Sequence, residues 1–287
     1  MALAVKSSFA KLRENLEITS LQQSTVSTRQ KNVREAVEAD FEVLDSFLTG
    51  SYMRSTMIAP LKDADIDIFV VLSAKYYDKD NPAGLLDKVK AVIKKTYEKT
   101  PKISRNGQAV TITFTDFVVD VVPAFRREGG GFLIPDSANG GWISTDPKVH
   151  ISIMSKANSD HNGDLIPIIK IIKAWNRNIG SGFKSFYLEL LAREVFTNVT
   201  ISSLPSGMRF FFDKGREQIK FKVADPAGFG GFINPLDNVN TVADAVSRFE
   251  TAYNRAIKAE KFDADGDTEN AVNEWRKIFG NYFPAYG

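Results

Sequence analysis

Polar and apolar positions change their period about halfway along the chain. Residues 4–19 place Val5, Phe9, Leu12, Leu16 and Ile18 at near-helical spacing. The stretch from Thr25 to Asp40 opens a second helix, with Ser27 or Thr28 as its cap and Val33, Val37, Phe41 and Leu44 as its buried stripe. Phe47-Leu48-Thr49 reads as a short strand that runs into Gly50-Ser51, and the run from Asp65 to Leu72 as a second strand whose Ile66, Ile68, Val70 and Val71 fill a core. An amphipathic helix is predicted over residues 82–100, then strands over 109–115 and 117–123. A loop or hairpin tip follows around Gly129-Gly130-Gly131, and a turn-rich link starts at Trp142. Beyond residue 150 the texture is mostly helical. Buried helices are predicted at 165–175 and 185–196, a small strand pair at 210–212 and 219–223, a long amphipathic helix over 241–262 and a last one over 269–279. The pattern predicts an α+β fold in two parts, residues 1–150 and 151–287, that share a cleft.

Within this pattern the acidic residues at strand positions stand out. Asp65 and Asp67 are two apart, so in a strand both side chains project from one face. Asp120 interrupts the apolar run Phe117-Val-Val-Asp-Val-Val122, and a polar group inside such a run requires a reason. Two close carboxylates repel unless a cation bridges them, and magnesium carried with a nucleoside triphosphate is the economical cation for an all-oxygen ligand set. Asp63 shares the strand phase but falls in the turn ahead of it.

Composition narrows the chemistry. The chain of 287 residues has no cysteine and two histidines, His150 and His161, so a zinc cluster is not expected. Its 37 basic and 35 acidic residues give a net charge of +2, which demands no long nucleic-acid partner but leaves room for a basic cleft. No signal peptide or membrane span is read from the sequence, so the expected location is the cytoplasm.

The ordered set Gly50-Ser51, Asp65-x-Asp67 and Asp120 resembles the nucleotidyltransferase core shared with DNA polymerase beta. More narrowly, the segment from Phe47 to Asp67 resembles the bacterial cGAS/DncV-like nucleotidyltransferases, the oligonucleotide cyclases of CBASS anti-phage defence, as does Ser27-Thr-Arg-Gln-Lys-Asn-Val-Arg34 upstream. Ile171-Ile-Lys-Ala-Trp-Asn176, Lys184-Ser-Phe-Tyr187 and Asp225-Pro226 are similar to further elements of that family. The resemblance implies a polymerase-beta-like core with a helical C-terminal lobe. It further implies template-independent synthesis of a cyclic dinucleotide with 3′–5′ linkages from nucleoside triphosphates, with Mg2+ or Mn2+ held by Asp65, Asp67 and Asp120. The triphosphate would be held by Gly50, Ser51, Lys173 and Ser185, with Phe186 stacking on a base; Lys170 and Tyr187 are the neighbouring alternatives and Arg54 a further phosphate candidate. The diffusible product would act on a separate effector, and Gly287 suits conjugation by a ubiquitin-transfer-like partner. The zinc-binding insertion of the animal DNA sensor is absent, so activation by DNA through that route is not expected. The rival activities are nucleotidyl transfer to an RNA, protein or small-molecule acceptor, and nucleotide sensing without catalysis.

Other features have plainer readings. Asp263, Asp265, Asp267, Glu269 and Glu274 partly imitate a calcium loop, but the position needing glycine is Thr268, so a solvated interhelical turn is expected. His161 reads as a loop residue, and Asn198-Val-Thr200 as a glycosylation acceptor without consequence in the cytosol. Asn158, Asn162 and Asn176 are polar candidates for reading the base, and the sequence does not choose among bases.

Overall fold

The computed structural model describes residues 4–100, 102–229, 231–239 and 241–287. The chain divides into two compact units, one formed by Ile18–Ser152 and the other by Met1–Glu17 with Ile153–Gly287.

The first unit is a mixed sheet with helices on one face. Helix α2 (Ser20–Glu38) is followed by β1 (Val43–Leu48), the short α3 (Gly50–Met53), β2 (Asp65–Leu72), α4 (Pro82–Thr96), β3 (Lys102–Asn106), β4 (Ala109–Thr113), β5 (Val118–Arg126), β6 (Phe132–Asp136) and β7 (Gly141–Thr145). Strand order is β1-β2-β5-β4-β3, with β6 pairing β5 and β7 pairing β6. β2 and β5 are parallel; β1 with β2, β4 with β5 and β3 with β4 are antiparallel. The two faces of β2 follow from its period of two. Ile66, Ile68, Val70 and Leu72 pack with Val119 and Val121 of β5 and with apolar residues of α2 and α4. Phe69 and Val71 lie in a separate cluster with Ala124 and Phe132. Each of these aliphatic side chains gains about 1.5–3 kcal/mol on full burial, which fixes the register, since a one-residue slip would exchange the faces.

The second unit is helical. It contains α1 (Val5–Asn15), all but the first turns of α5 (Pro147–Asp160), α6 (Leu165–Asn178), α7 (Ser185–Val195), α8 (Leu204–Gln218), a two-residue strand pair β8 (Val223–Ala224) and β9 (Phe232–Ile233), α9 (Val242–Ala264) and α10 (Thr268–Phe279). Trp175 of α6, Phe183, Phe211 and Phe212 of α8 surround Phe249 of α9. Phe9 of α1 sets its edge against Trp275, with ring centroids 4.9 Å apart, and meets Phe279 and Phe283, which ties the N-terminal helix to the C-terminal one.

Several sequence expectations need correction. The second helix starts at Ser20, because Thr19 and Gln22 form a capping box; Ser27 and Thr28 lie inside the helix. Leu44 is an exposed residue of β1 and no part of a helical stripe. The expected strand at Phe210–Phe212 is helix α8: Ser203 caps it, and Met208, Phe211, Phe212 and Gly215 are buried at helical spacing. The link at Trp142 is strand β7, where the indole N–H donates to the Asp78 and Lys79 carbonyls.

Gly215 packs so closely on Phe249 that an added Cβ would overlap the ring. Gly215→Ala is therefore expected to lower unfolding stability by about 1–3 kcal/mol through overpacking, despite alanine's better helix propensity. Urea denaturation measures this; an unchanged or raised midpoint would show that the ring has room to move.

Candidate functional site

The acidic face of β2 is an outcome of strand register. Parallel pairing sets Asp67 beside Asp120 and Asp65 beside Val118, so three aspartates rise from the same side of neighbouring strands. One carboxylate oxygen from each of Asp65, Asp67 and Asp120 lies within 4.8 Å of the others. Asp65 is exposed, and the other two are half-buried. The antiparallel register of β4 places Thr111 opposite Asp120, and its hydroxyl donates to the Asp120 carboxylate. Burial pushes the Asp120 pKa above the ordinary 3.8; the Thr111 hydrogen bond opposes that rise, and the Asp65 charge adds to it.

The turn after β1 closes over this face. The Thr49 N–H donates to the Asp67 carbonyl at 2.9 Å, which carries β1 pairing to the start of α3. Gly50 then adopts a φ of +63°, and a Cβ there would overlap the Asp67 carboxylate. Glycine is required on both counts. Ser51 is half-buried, and its carbonyl accepts from the Thr56 and Met57 N–H groups. Asp63 ends a 3-10 turn ahead of β2, outside the triad, as its sequence context indicates.

The donor set fits a hard divalent cation: three carboxylates converge, all their ligand atoms are oxygen, and Gly50 lets the Asp67 carboxylate sit where a Cβ would otherwise lie.

In the helical unit, Ser185 is exposed at the first position of α7, behind the exposed Lys184, and Phe186 is half-buried. Lys173 differs from the picture of a free phosphate ligand. It is 6% exposed and pairs at 2.6 Å with Glu189, which is fully buried. Lys170 pairs with Glu17. Tyr187 is a core residue whose hydroxyl donates to the Gln218 and Phe221 carbonyls, and burial raises its pKa. Asn176 spends both ends of its carboxamide on the Phe183 backbone, and Asn158 accepts from the Ile166 N–H, so both serve local structure. The calcium-like segment is the interhelical turn expected: Asp267 caps α10, and Glu274 binds Lys258 and Lys277. Thr111 and Glu189 are the partners that sequence reasoning missed. Thr111 carries a weak signal, a hydroxyl within an alternating strand, whereas Glu189 looks like any helix glutamate.

A mixed sheet bearing a carboxylate triad beside a glycine turn defines a nucleotidyltransferase. The model of the Second Messenger Oligonucleotide or Dinucleotide Synthetase domain matches residues 3–158. A curated relative, a probable cyclic nucleotide synthase of Bacillus cereus, is 27% identical over 83% of this chain and 81% of its own. The cyclic AMP-AMP-AMP synthase of an Acinetobacter species is 25% identical over 98% of this chain and 86% of its own. Among solved structures, CdnC of Escherichia coli MS115-1 with ATP has a TM-score of 0.70 at 20% identity, covering 99% of both chains. CdnG of Bradyrhizobium diazoefficiens with GTP has a TM-score of 0.73 at 15% identity over 96% of both. The chain belongs to the Second Messenger Oligonucleotide or Dinucleotide Synthetase family, and with it to the cGAS/DncV-like nucleotidyltransferases.

A raised folded pKa means that the ionised Asp120 disfavours the fold. Stability from its neutral form is full below the unfolded value and is lost as pH rises through the folded one. In metal-free buffer at neutral pH, Asp120→Asn is expected to melt higher than the parent, with the advantage vanishing towards acid. The rise in melting temperature that Mg2+ and ATP give the parent should shrink in the variant. Scanning calorimetry reads both; an undiminished Mg2+-ATP response would remove Asp120 from the ligand set.

Proposed function

We propose that the protein joins nucleoside triphosphates, without a template, into a cyclic oligonucleotide second messenger in anti-phage signalling, with pyrophosphate as the other product. The observation that carries this reading is the convergence of Asp65, Asp67 and Asp120 in a chain of this family. Divalent magnesium, when bound, would offset the charge on the phosphates and on the attacking and leaving oxygens during in-line displacement. Asp65 and Asp67 would hold the triphosphate-bearing ions, and Asp120 would share the ion nearest the attacking 3′-hydroxyl. Asp120 would also be placed to receive that hydroxyl's proton, with its carboxylate oriented by the Thr111 hydroxyl that donates to it. The Ser51 hydroxyl and the backbone amides beside Gly50 would bind phosphate oxygens where no Cβ intrudes.

In the helical unit, Ser185 at the start of α7 would add a hydroxyl for the triphosphate, and Phe186 would supply a stacking face for a base. Lys173 would contribute charge while keeping Glu189, since an ammonium carries three donors. The resemblance implies a two-membered ring. A three-membered ring is the second reading, because the Acinetobacter relative that matches 98% of this chain is a cyclic AMP-AMP-AMP synthase.

Incubation with the four labelled ribonucleoside triphosphates and Mg2+ or Mn2+ is expected to yield pyrophosphate and a phosphatase-resistant product, whose mass gives ring size and bases. Asp65→Asn and Asp67→Asn should each abolish turnover without loss of fold. A product formed only on an added RNA or protein acceptor would replace cyclisation by simple transfer. Nucleotide binding without pyrophosphate release would make the chain a sensor.

A further inference from the structure

The turn that joins α6 to α7 is held from two sides. On one side stands Asn176 of α6, which is 3% exposed. Its Nδ2 donates to the Phe183 carbonyl at 2.8 Å, and its Oδ1 accepts from the Phe183 N–H at 3.1 Å. The carboxamide thus pairs with Phe183 as the backbone of a neighbouring strand would. On the other side runs the segment of residues 235–238. Phe183 bridges antiparallel to Leu236, the Lys184 N–H donates to the Pro235 carbonyl at 3.0 Å, and the Asp237 N–H donates to the Gly182 carbonyl at 3.1 Å. Asn238 Nδ2 donates to the Ser181 carbonyl. Gly182 lies so close to Val239 that a Cβ would overlap one of its methyl groups. The Phe183 ring stacks on Trp175.

Turns between helices are ordinarily among the more mobile parts of a fold. Here the backbone is tied at each residue from Ser181 to Lys184, and the ties end where α7 begins. α7 has no side-chain cap, and the next side chain along, Ser185, is exposed. A rigid base under an open hydroxyl suits ligand binding for two reasons. A loose turn would have to be ordered on binding, and that cost would be subtracted from the affinity. A displacement of about 1 Å in a contacting group weakens the contact sharply. We infer that Asn176 is a positioning residue: with residues 235–238 it fixes Phe183 and thereby sets Ser185 where it meets the triphosphate. Its carboxamide faces Phe183, so its effect on a nucleotide is exerted through the backbone and not by touching a base. The inference rests on the reading of Ser185 as a triphosphate contact.

A double-mutant cycle on the full-length protein tests this, with Asn176→Ala and Ser185→Ala made singly and together. KM and kcat are read from pyrophosphate release with Mg2+. Kd is read by calorimetry with the α,β-methylene analogues of the four ribonucleoside triphosphates, which cannot release pyrophosphate. Ser185→Ala is expected to raise KM and Kd about tenfold, as for the loss of one hydrogen bond to a charged group. Asn176→Ala should raise both at least as much, with kcat within about twofold of the parent. The double variant should be little worse than Asn176→Ala, because the serine is already misplaced. A purely structural loss would instead lower the amount of active enzyme, and so kcat, at unchanged KM. Asn178→Ala on the same helix is the control: it gives up bonds to the Lys277 and Ile278 carbonyls and should lose stability at unchanged KM. If Asn176→Ala does not fold, Asn238→Ala, at an exposed position, loosens the same turn and enters the same cycle. Unchanged KM and Kd in Asn176→Ala, or independent effects of the two substitutions, overturn the inference and leave Ser185 as a ligand. No change in Ser185→Ala removes Ser185 from the triphosphate site and the inference with it. A parent that binds the analogues but releases no pyrophosphate rejects the cyclase reading, and Kd still decides the role of Asn176.

Discussion

Three like charges held on one sheet face are the constraint on which the rest of the first unit depends. The carboxylates of Asp65, Asp67 and Asp120 would separate if their strands were free to slip or splay. They are kept together by the opposite face of the same strands, where Ile66, Ile68, Val119 and Val121 are fully buried with α2 and α4. Moving an aspartate off this face would move an aliphatic side chain onto it, and the lost burial exceeds the relief of repulsion at a site open to water. The raised pKa of Asp120 comes first from its burial, with the Asp65 charge adding to it. Gly50 belongs to the same constraint: any side chain there would overlap the Asp67 carboxylate and displace it.

What was legible in the sequence was set by local period. Asp65-x-Asp67 shows in a strand of period two, and Asp120 shows because it breaks an apolar run. Their meeting depends on the parallel pairing of β2 with β5, which no local pattern states; the resemblance to a known family supplied it. Thr111 was invisible because its role depends on a long-range register, and Glu189 because its partner Lys173 lies on another helix. The misread strand at Phe210–Phe212 shows the limit of reading aromatic runs. Three consecutive phenylalanines fit a buried strand, but the Ser203 cap and the close approach of Gly215 to Phe249 belong to a helix. The attachment of α1 to the C-terminal helices rests on Phe9 meeting Trp275, a contact between the two ends of the chain that periodicity cannot reveal.

The buried Lys173–Glu189 pair changes what a lysine in the helical unit can do. A lone ammonium at 6% exposure would be costly, and Glu189 compensates it with a short ion pair. The pair fixes the ammonium's position while leaving it less net charge to offer a triphosphate than an exposed lysine has. Ser185 has the opposite character: exposed and at the first turn of α7, it can meet a ligand without breaking any contact seen in the core.

A net charge of +2 conceals two opposed fields within residues 18–152. Acidic oxygens converge at the start of β2, and residues 82–106 hold seven lysines and arginines against two acids. At physiological salt, charges on a surface act over about 8 Å, so a ligand responds to the local patch and not to the sum over the chain. The acidic face is too concentrated to serve an anion without a cation between them. Near-neutrality of the whole chain therefore does not exclude a metal-bridged triphosphate at the acidic face.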